Sequence, residues 1–132
     1  MRLLVDNNLP PRVARALNEL VKADDHSVVA LRDKFAENTP DVEWIEALGA
    51  EGGWVVLTLD HDIVRRKAEK AAWRKARLIA FVLTRGWSTF PPLDTAWRLI
   101  RWWPQIVQQA SLAAPGSTFE LGPKLSGRIR TL

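Results

Sequence analysis

The chain has 132 residues, a length that suits one domain built around a single core. Hydrophobic residues make up 47% of the sequence and charged residues 26%, which excludes an intrinsically disordered chain and a membrane bundle. No apolar run approaches the roughly 20 residues of a membrane-spanning helix, and Asp6 interrupts the apolar start too early for a signal peptide. Cysteine is absent, which excludes disulfides, thiolate zinc sites and thiol nucleophiles, and we expect a cytoplasmic protein.

The formal net charge of +4 hides an uneven distribution along the chain. Residues 1–62 contain 12 acidic and 6 basic residues, whereas the rest contains 3 acidic and 13 basic residues. This asymmetry predicts an acidic cluster on one element and a basic surface on another, which together suit a polyanion held near metal ions. Solvated helix faces of opposite sign are the alternative.

Predicted strands and helices alternate along the first half of the chain. The apolar run Arg2–Val5 ends at Asp6, and Pro10-Pro11 opens a helix to about Lys22 with apolar residues at helical spacing. The next predicted elements are a strand over Ser27–Leu31, a helix from Thr39-Pro40-Asp41 to the glycines at 49–53, and a strand over Trp54–Leu59.

The second half continues the alternation and then changes character. A helix rich in Ala, Lys and Arg is predicted over Ile63–Ala76, a strand over Leu78–Thr84, and a helix from Pro91-Pro92 that Pro104 must kink or restart. These patterns predict one α/β domain over residues 1–114, with a mostly parallel sheet between helices. Residues 115–132 contain three glycines and two prolines, which predicts an edge hairpin or a tail packed on the same domain.

Four carboxylates fall where the predicted strands end and the following helices begin. Asp6 ends the first strand, Asp41 lies in the first turn of a helix, and Asp60 and Asp62 follow the third strand. In a parallel α/β sheet these positions share one edge, which is where such folds bind ligands. Several carboxylates at one edge repel one another, so a divalent cation is the natural compensation, and oxygen-only ligands favour Mg²⁺ or Mn²⁺.

Each acid also has a purely structural interpretation. Asp62 could cap the helix that follows, and Asp41 could complement a helix dipole. Asp6 is harder to explain in this way, because two asparagines already offer capping oxygens before Pro10. We assign His61, within the D-x-D sequence of residues 60–62, no chemical role.

Three segments of the chain form a recognisable combination: Leu3–Pro11 (LLVDNNLPP), Asp41-x-x-x-Ile45 and Val55–Asp62 (VVLTLDHD). Together they resemble the PIN-like nucleases, most closely the small bacterial proteins grouped with VapC-type toxins, and the resemblance covers about residues 1–107. It implies a PIN-like three-layer α/β/α sandwich and a Mg²⁺- or Mn²⁺-dependent endoribonuclease. The implied catalytic and metal-binding residues are Asp6, Asp41, Asp60 and Asp62.

One part of the family pattern is not matched in this sequence. Typical members have an additional glutamate on a helix before the third acid, and neither Glu37, Glu43 nor Glu46 is an unambiguous match, which leaves the number of metal ligands open. The toxin resemblance implies RNA as the substrate and an antitoxin protein as the partner. A metal-free RNA- or protein-binding module with the same fold remains an alternative.

A basic surface and a loop tryptophan are candidates for RNA contact. Four basic residues fall at helical spacing after the acidic segment, namely Arg66, Lys70, Arg74 and Arg77. They predict a phosphate-binding stripe that leads away from the acids, although charge runs are more often solvated helix faces. Arg85 and Trp87 follow the fourth strand at the same edge, where Trp87 could stack on an unpaired base. Packing of Trp87 within the loop is the alternative, and it is the more common role for such a residue.

The helix after Pro91-Pro92 is too apolar for one buried face. A stripe of Leu99, Trp102 and Ile106 lies beside a second stripe, Trp97, Ile100, Trp103 and Val107. Such an excess predicts a surface for an antitoxin or for a second copy of the chain.

Two other phosphate-handling folds place acids similarly. A receiver-like domain would need a lysine after a fifth strand, but the only later lysine is Lys124 in the tail. A haloacid-dehalogenase-type phosphatase would place its D-x-D sequence after the first strand, whereas here the sequence follows the third. Both fit less well than the PIN-like interpretation.

Overall fold

The computed structural model of the chain describes residues 1–63 and 65–132. The strands are β1 (Arg2–Val5), β2 (Ser27–Ala30), β3 (Trp54–Thr58), β4 (Ile79–Leu83), β5 (Thr118–Leu121) and β6 (Arg130–Thr131). The helices are α1 (Pro11–Val21), α2 (Leu31–Lys34), α3 (Asp41–Glu51), α4 (Lys67–Ala76) and α5 (Pro92–Leu112). Short 3₁₀ turns cover Lys22–Asp24 and Arg85–Thr89.

The six strands form one sheet in the order β2-β1-β3-β4-β5-β6. The first five pair in parallel, and β6 runs antiparallel to β5. Val5 pairs with Ala30 on one side and Leu57 on the other, so β1, β2 and β3 end level with one another. The residues that follow these strands therefore share the carboxyl edge of the sheet, as the sequence predicts.

Helices cover both faces of the sheet because the central strands are apolar on both sides. On one face the buried helical residues come from α1 and α5: Val13, Ala14, Leu17, Val21, Leu99, Trp102 and Ile106. On the other face they come from α2, α3 and α4: Leu31, Trp44, Ile45, Leu48, Ala72 and Trp73. The predicted α/β/α sandwich is confirmed.

A small residue lets the two helices of the second face approach closely. A Cβ atom added at Gly49 of α3 would lie 2.7 Å from Cα of Ala76 in α4, so no larger residue fits there without moving a helix. α3 then ends at Gly52 and Gly53, which both adopt positive φ angles of 76° and 74°. Glycine adopts such angles without the steric cost of a side chain.

The C-terminal segment adds two strands to the sheet. β5 pairs with β4 in parallel, and Phe119 and Leu121 are buried on the α1/α5 face. β6 pairs with β5 through Glu120 and Arg130, which makes an edge hairpin. Thr118 and Glu120 are only half-buried, and they line one wall of a cleft beside α4.

The structure corrects the predicted start of α4. The sequence predicts a helix from Ile63, whereas α4 begins at Lys67; residue 64 lies outside the described residues. The carbonyl of Asp62 accepts hydrogen bonds from the backbone N–H groups of Arg65 and Arg66, and both N···O distances are 2.9 Å. Arg66 then takes an extended conformation, with ψ at 136°, before the helix begins.

α5 differs from its prediction in two respects. It runs unbroken from Pro92 to Leu112 with Pro104 inside it, so the predicted restart does not occur. Trp102 is 1% exposed and belongs to the core, whereas Trp97 and Ile100 are exposed. The predicted stripe of Leu99, Trp102 and Ile106 is therefore core and not a surface for a partner, and the exposed apolar stripe comprises Leu93, Trp97 and Ile100.

None of the helices in the described part of the chain is long and apolar enough to cross a membrane.

Candidate active site

Asp6 is the buried carboxylate of the carboxyl edge. Its backbone N–H donates to the carbonyl of Leu57 at 3.0 Å and extends the β1–β3 ladder by one residue. Its side chain is fixed at both oxygens: Thr58 Oγ1 donates to Oδ2 at 2.8 Å, and the N–H of Asn7 donates to Oδ1 at 2.7 Å. With only 8% of the residue exposed, Asp6 is held in one position by strand pairing and two hydrogen bonds.

Thr58 connects the two loops that carry the acids. Its hydroxyl is fully buried and accepts hydrogen bonds from the N–H of Asp60 at 2.9 Å and from Asn8 Nδ2 at 3.3 Å, while it donates to Asp6. Asn8 Oδ1 also accepts the N–H of Leu59 at 3.1 Å. The loops after β1 and β3 are therefore fixed relative to each other by the Thr58 hydroxyl and the Asn8 side chain.

Asp41 and Asp60 lie farther out and share one cationic partner. Trp44 Nε1 donates to Asp41 Oδ1 at 3.0 Å, which fixes that carboxylate at the start of α3. Arg66 Nη2 is 2.6 Å from Asp60 Oδ2 and 3.3 Å from Asp41 Oδ2. Acids from two separate elements thus converge on the same nitrogen atom.

The three carboxylates affect one another electrostatically. Burial is the main cause that raises the pKa of Asp6, and the nearby charges of Asp41 and Asp60 raise it further. Hydrogen bonds from Thr58 and Asn7 act in the opposite direction. The pKa of Arg66 is raised, chiefly by its hydrogen bond to Asp60. The edge therefore accumulates negative charge, and one arginine compensates its outer part.

Asp62 stands apart from the other three acids. It is exposed, and its backbone N–H donates to Asp60 Oδ1 at 3.0 Å, which makes a tight turn of residues 60–62. Among the contacts of residues 1–63 and 65–132, none joins the Asp62 carboxylate to Asp6 or Asp41. The four predicted site residues therefore divide into a group of three and one outlier.

The carboxylates of this edge are chemically suited to a hard divalent cation, but in this structure two of them bind the guanidinium of Arg66. Carboxylate oxygens are ligands that Mg²⁺ and Mn²⁺ prefer, and two of these carboxylates already bind one positively charged nitrogen. Within residues 1–63 and 65–132, no three His, Cys, Asp or Glu side chains group closely enough to hold a metal ion. Binding a cation would thus require Arg66 to move and the carboxylates to draw together.

Because α4 begins at Lys67, Arg66 lies outside the helix and the four residues of the predicted basic stripe do not form one surface. Arg66 precedes the helix and turns to the acids, so it does not extend the stripe. Lys70 and Arg74 instead line a cleft of about 580 Å³. They share it with His61, Arg65, Trp73, Val82, Gly116, Thr118, Glu120 and Leu132. This cleft begins next to the turn that carries Asp60 and Asp62.

The remaining candidates for RNA contact are dispersed. Arg77 ends α4 in a left-handed conformation, with φ at 56°, and lines a cavity with Met1 and Ile79 near the starts of the strands. Arg85 is exposed just after β4. Trp87 is only 1% exposed, and its Nε1 donates to the carbonyl of Leu121 at 3.0 Å. The prediction that Trp87 stacks on a base is wrong, because its ring belongs to the core.

Sequence reasoning gave no site role to four residues that lie at the edge or in the cleft: Asn8, Thr58, His61 and Arg65. Thr58 lies two residues before Asp60, which is the spacing at which a hydroxyl accepts a backbone N–H in a turn, so a local signal existed. The bonds of Asn8 span 50 and 51 residues and leave no local signature. Arg65 was counted in a helix, whereas it lies before α4 and lines the cleft.

Comparison with known proteins bears on the first two thirds of the chain. The family model described as a PIN like domain matches residues 1–85, which include β1 to β4 and all of the carboxylates described above. Searches of curated proteins and of solved structures gave no match. Because this family model matches more than half of the residues of the chain, the chain belongs to the PIN-like domain family.

Proposed function

We propose that this protein is a Mg²⁺- or Mn²⁺-dependent endoribonuclease and the toxin of a toxin–antitoxin pair. The observation that carries the proposal is the convergence of Asp6, Asp41 and Asp60 from three elements at the carboxyl edge of a PIN-like domain. Burial is the main cause that raises the pKa of Asp6, and the charges of Asp41 and Asp60 raise it further, so holding the three acids together has an electrostatic cost that a bound cation would offset. Clusters of this kind are common where proteins bind cations or handle phosphates.

In this proposal the three grouped carboxylates and the exposed Asp62 have different roles. Asp6, Asp41 and Asp60 would hold the cation, and Asp62 would join them from the exposed end of the turn. A bound divalent cation supplies a Lewis acid for the phosphate and a water of lowered pKa, so no protein nucleophile is needed. Thr58 keeps Asp6 and the loop of Asp60 in register, which fixes the positions of two carboxylates before any ligand arrives.

The substrate class follows from the cleft beside α4. Arg65, Lys70 and Arg74 provide positive charge there, and Glu120 is the acid among its lining residues. A groove of this sign favours a polyanion, and its position next to Asp60 would lead the backbone of an RNA strand to the acidic edge. Arg77 and Arg85 would contact phosphates farther along the strand.

The partner follows from the exposed stripe on α5. Leu93, Trp97 and Ile100 are 83%, 43% and 42% exposed, which is unusual for three large apolar residues on one helix. An antitoxin that covered this stripe would bury them, and a second copy of the chain could use the same surface. A basic side chain of an antitoxin could also neutralise the acidic edge.

A second function is favoured by one observation. Arg66 already neutralises Asp41 and Asp60, so the edge could serve as a stable polar cluster in a metal-free RNA- or protein-binding module. Such a module would keep the basic cleft and the apolar stripe but would bind RNA without cutting it.

Cleavage of a fluorescent RNA by the purified protein separates the two functions. We expect cleavage with Mn²⁺ or Mg²⁺, none with a chelator, and a loss of at least 100-fold for Asp60→Asn or Asp6→Asn, because each change removes one charge and little volume. Asp24→Asn, an exposed change outside the edge, is the matched control. Full activity in both edge variants would contradict the acidic edge as the active site, and RNA binding without cleavage would support the module.

The toxin role needs a test in cells. We expect expression of the wild-type chain to stop growth and expression of Asp60→Asn to be harmless. Growth arrest by both forms would show that toxicity does not depend on the acidic edge. Harmless expression of an active wild-type nuclease would contradict the toxin role and leave the nuclease intact.

A further inference from the structure

Arg66 occupies an unusual place among the basic residues of this chain. Its guanidinium lies between carboxylates of two different elements, with Nη2 at 2.6 Å from Asp60 and 3.3 Å from Asp41, and its Nε is 3.2 Å from Glu69. The extended backbone before α4 directs the side chain back to the edge. The arginine thus belongs to the acidic site in space, although its sequence neighbours belong to the basic surface.

Two positive groups could neutralise these acids, the guanidinium of Arg66 and a divalent cation. Both would bind the same carboxylate oxygen atoms. A divalent cation binds carboxylate oxygens directly at about 2.0–2.6 Å. Asp60 Oδ2 is already bonded to Arg66 at 2.6 Å, so a divalent cation bound to this oxygen would lie beside the guanidinium, and the two positive charges would repel each other. Occupation by one therefore opposes occupation by the other.

The environment of Arg66 allows it to leave. Its side chain is 43% exposed, and the carboxylates of Asp41 and Asp60 are 37% and 26% exposed. Ion pairs at such positions exchange with water and with other ions at a small free-energy cost. By contrast, Asp6 is bonded to the buried hydroxyl of Thr58 and to the backbone N–H of Asn7, so its position does not depend on Arg66.

On these grounds we propose that Arg66 is an internal counter-ion that competes with a divalent cation for Asp41 and Asp60. The inference rests on the proposed cation site and adds its regulation: the free protein keeps its acidic edge neutralised by its own arginine, and cation binding displaces that side chain. It follows that the affinity of the wild-type chain for Mn²⁺ is weakened by a residue of the same chain.

The test measures Mn²⁺ binding without RNA, by calorimetry and by the paramagnetic signal of free Mn²⁺. We expect Arg66→Ala to bind Mn²⁺ about tenfold more tightly than the wild type, the order of a typical coupling between competing ligands. Arg66→Gln, which keeps most of the side-chain length, should change affinity in the same direction. Arg65→Ala is the matched control, because it removes an equal charge one residue away and leaves the ion pairs intact.

Each outcome distinguishes the inference from the proposed function. Equal Mn²⁺ affinity for Arg66→Ala and Arg65→Ala would overturn the competition and leave the cation site standing. An absence of binding in the wild type and in both Arg66 variants would overturn the cation site itself, and the competition with it. The gain in Arg66→Ala should disappear when Asp60→Asn is added, and a gain that survives would place the cation elsewhere and overturn the competition.

Discussion

The carboxyl edge of the sheet has two halves that look alike in sequence but differ in structure. The open half, at the ends of β1 and β3, carries Asp6, Asp41 and Asp60. The closed half, residues 84–90 after β4, turns through a short 3₁₀ segment and buries Trp87 beneath it. Both halves follow apolar strands and contain glycine, hydroxyl or charged residues that suit a binding loop.

The difference comes from what the neighbouring strand supplies. In the open half, β1 and β3 end level, and their loops are joined by side-chain bonds of Thr58 and Asn8. Asp6 is buried there, while the side chains of Asp41 and Asp60 stay 37% and 26% exposed. In the closed half, the end of β5 brings the carbonyl of Leu121 to the indole of Trp87. An aromatic side chain near a proposed site is thus part of the core when a later strand provides its hydrogen-bond partner.

The largest expected effect is at Trp87. We expect Trp87→Ala to lower the free energy of unfolding by about 3–5 kcal/mol, because it removes a fully buried indole and leaves a cavity. Chemical denaturation followed by circular dichroism measures the change. Trp97→Ala, at a 43% exposed position, is the matched control and should cost much less. Equal costs for the two changes would show that Trp87 is not packed as described.

Thr58 gives the next largest effect, in the open half. Thr58→Val keeps the shape of the side chain but removes the hydroxyl, so the buried Asp6 loses a donor and the N–H of Asp60 loses an acceptor. We expect the free energy of unfolding to fall by about 1–3 kcal/mol. Thr58→Ser keeps the hydroxyl and is the matched control. If Thr58→Ser proved the more damaging of the two, the methyl group rather than the hydrogen bonds would matter.

Most of the sheet could be predicted from the sequence because its strands are short and continuously apolar. β1 to β4 and the helices α1 and α3 lie within a few residues of their predicted positions. The order of the strands could not be predicted, since parallel crossovers leave no local mark. The start of α4 was predicted too early. The sequence from Ile63 onward has high helix propensity, but Arg65 and Arg66 donate their backbone N–H groups to the Asp62 carbonyl and precede the helix.

The candidate site was predictable in its acids and not in its basic groups. Asp6, Asp41 and Asp60 are tied to strand ends and to a helix start, which local patterns indicate well. Whether Arg66 belongs to the basic stripe or to the acids depends on one ψ angle before α4. The choice between Trp97 and Trp102 depends on which face of α5 rests on the sheet, and two overlapping apolar stripes do not decide it.

The pH dependence of stability tests the charge of the open half. The folded-state pKa of Asp6 is raised, mainly by burial, so the folded protein binds this proton more tightly than the unfolded chain. The contribution of Asp6 to the free energy of unfolding should therefore fall as pH rises from about 3.9, the unfolded value, through the raised pKa. We expect a smaller effect than for Thr58→Val, because bonds from Thr58 and Asn7 offset part of the burial.

Urea denaturation between pH 4 and 8 without divalent cations, in the wild type and in Asp6→Asn, isolates this contribution. As the pH rises, the unfolding free energy of Asp6→Asn should increase relative to that of the wild type. Acids with lowered pKa values, Asp33 and Glu51, titrate equally in both proteins and cancel. A difference that is constant with pH would mean that Asp6 is not held in a desolvated position.

The smallest effect compares one arginine from each half in RNA binding. Arg74 lines the cleft that begins beside the open half, whereas Arg85 is exposed at the start of the closed half. If RNA follows the cleft, Arg74→Ala should lower the slope of log affinity against log salt by about 0.7, the value for one phosphate contact of a single strand. Arg85→Ala should lower the slope by less, because a strand in the cleft reaches the closed half only at its end. Fluorescence anisotropy with a labelled RNA, at four salt concentrations and without divalent cations, measures both slopes while excluding cleavage. A larger change for Arg85→Ala would move the RNA path to the closed half and separate it from the cleft.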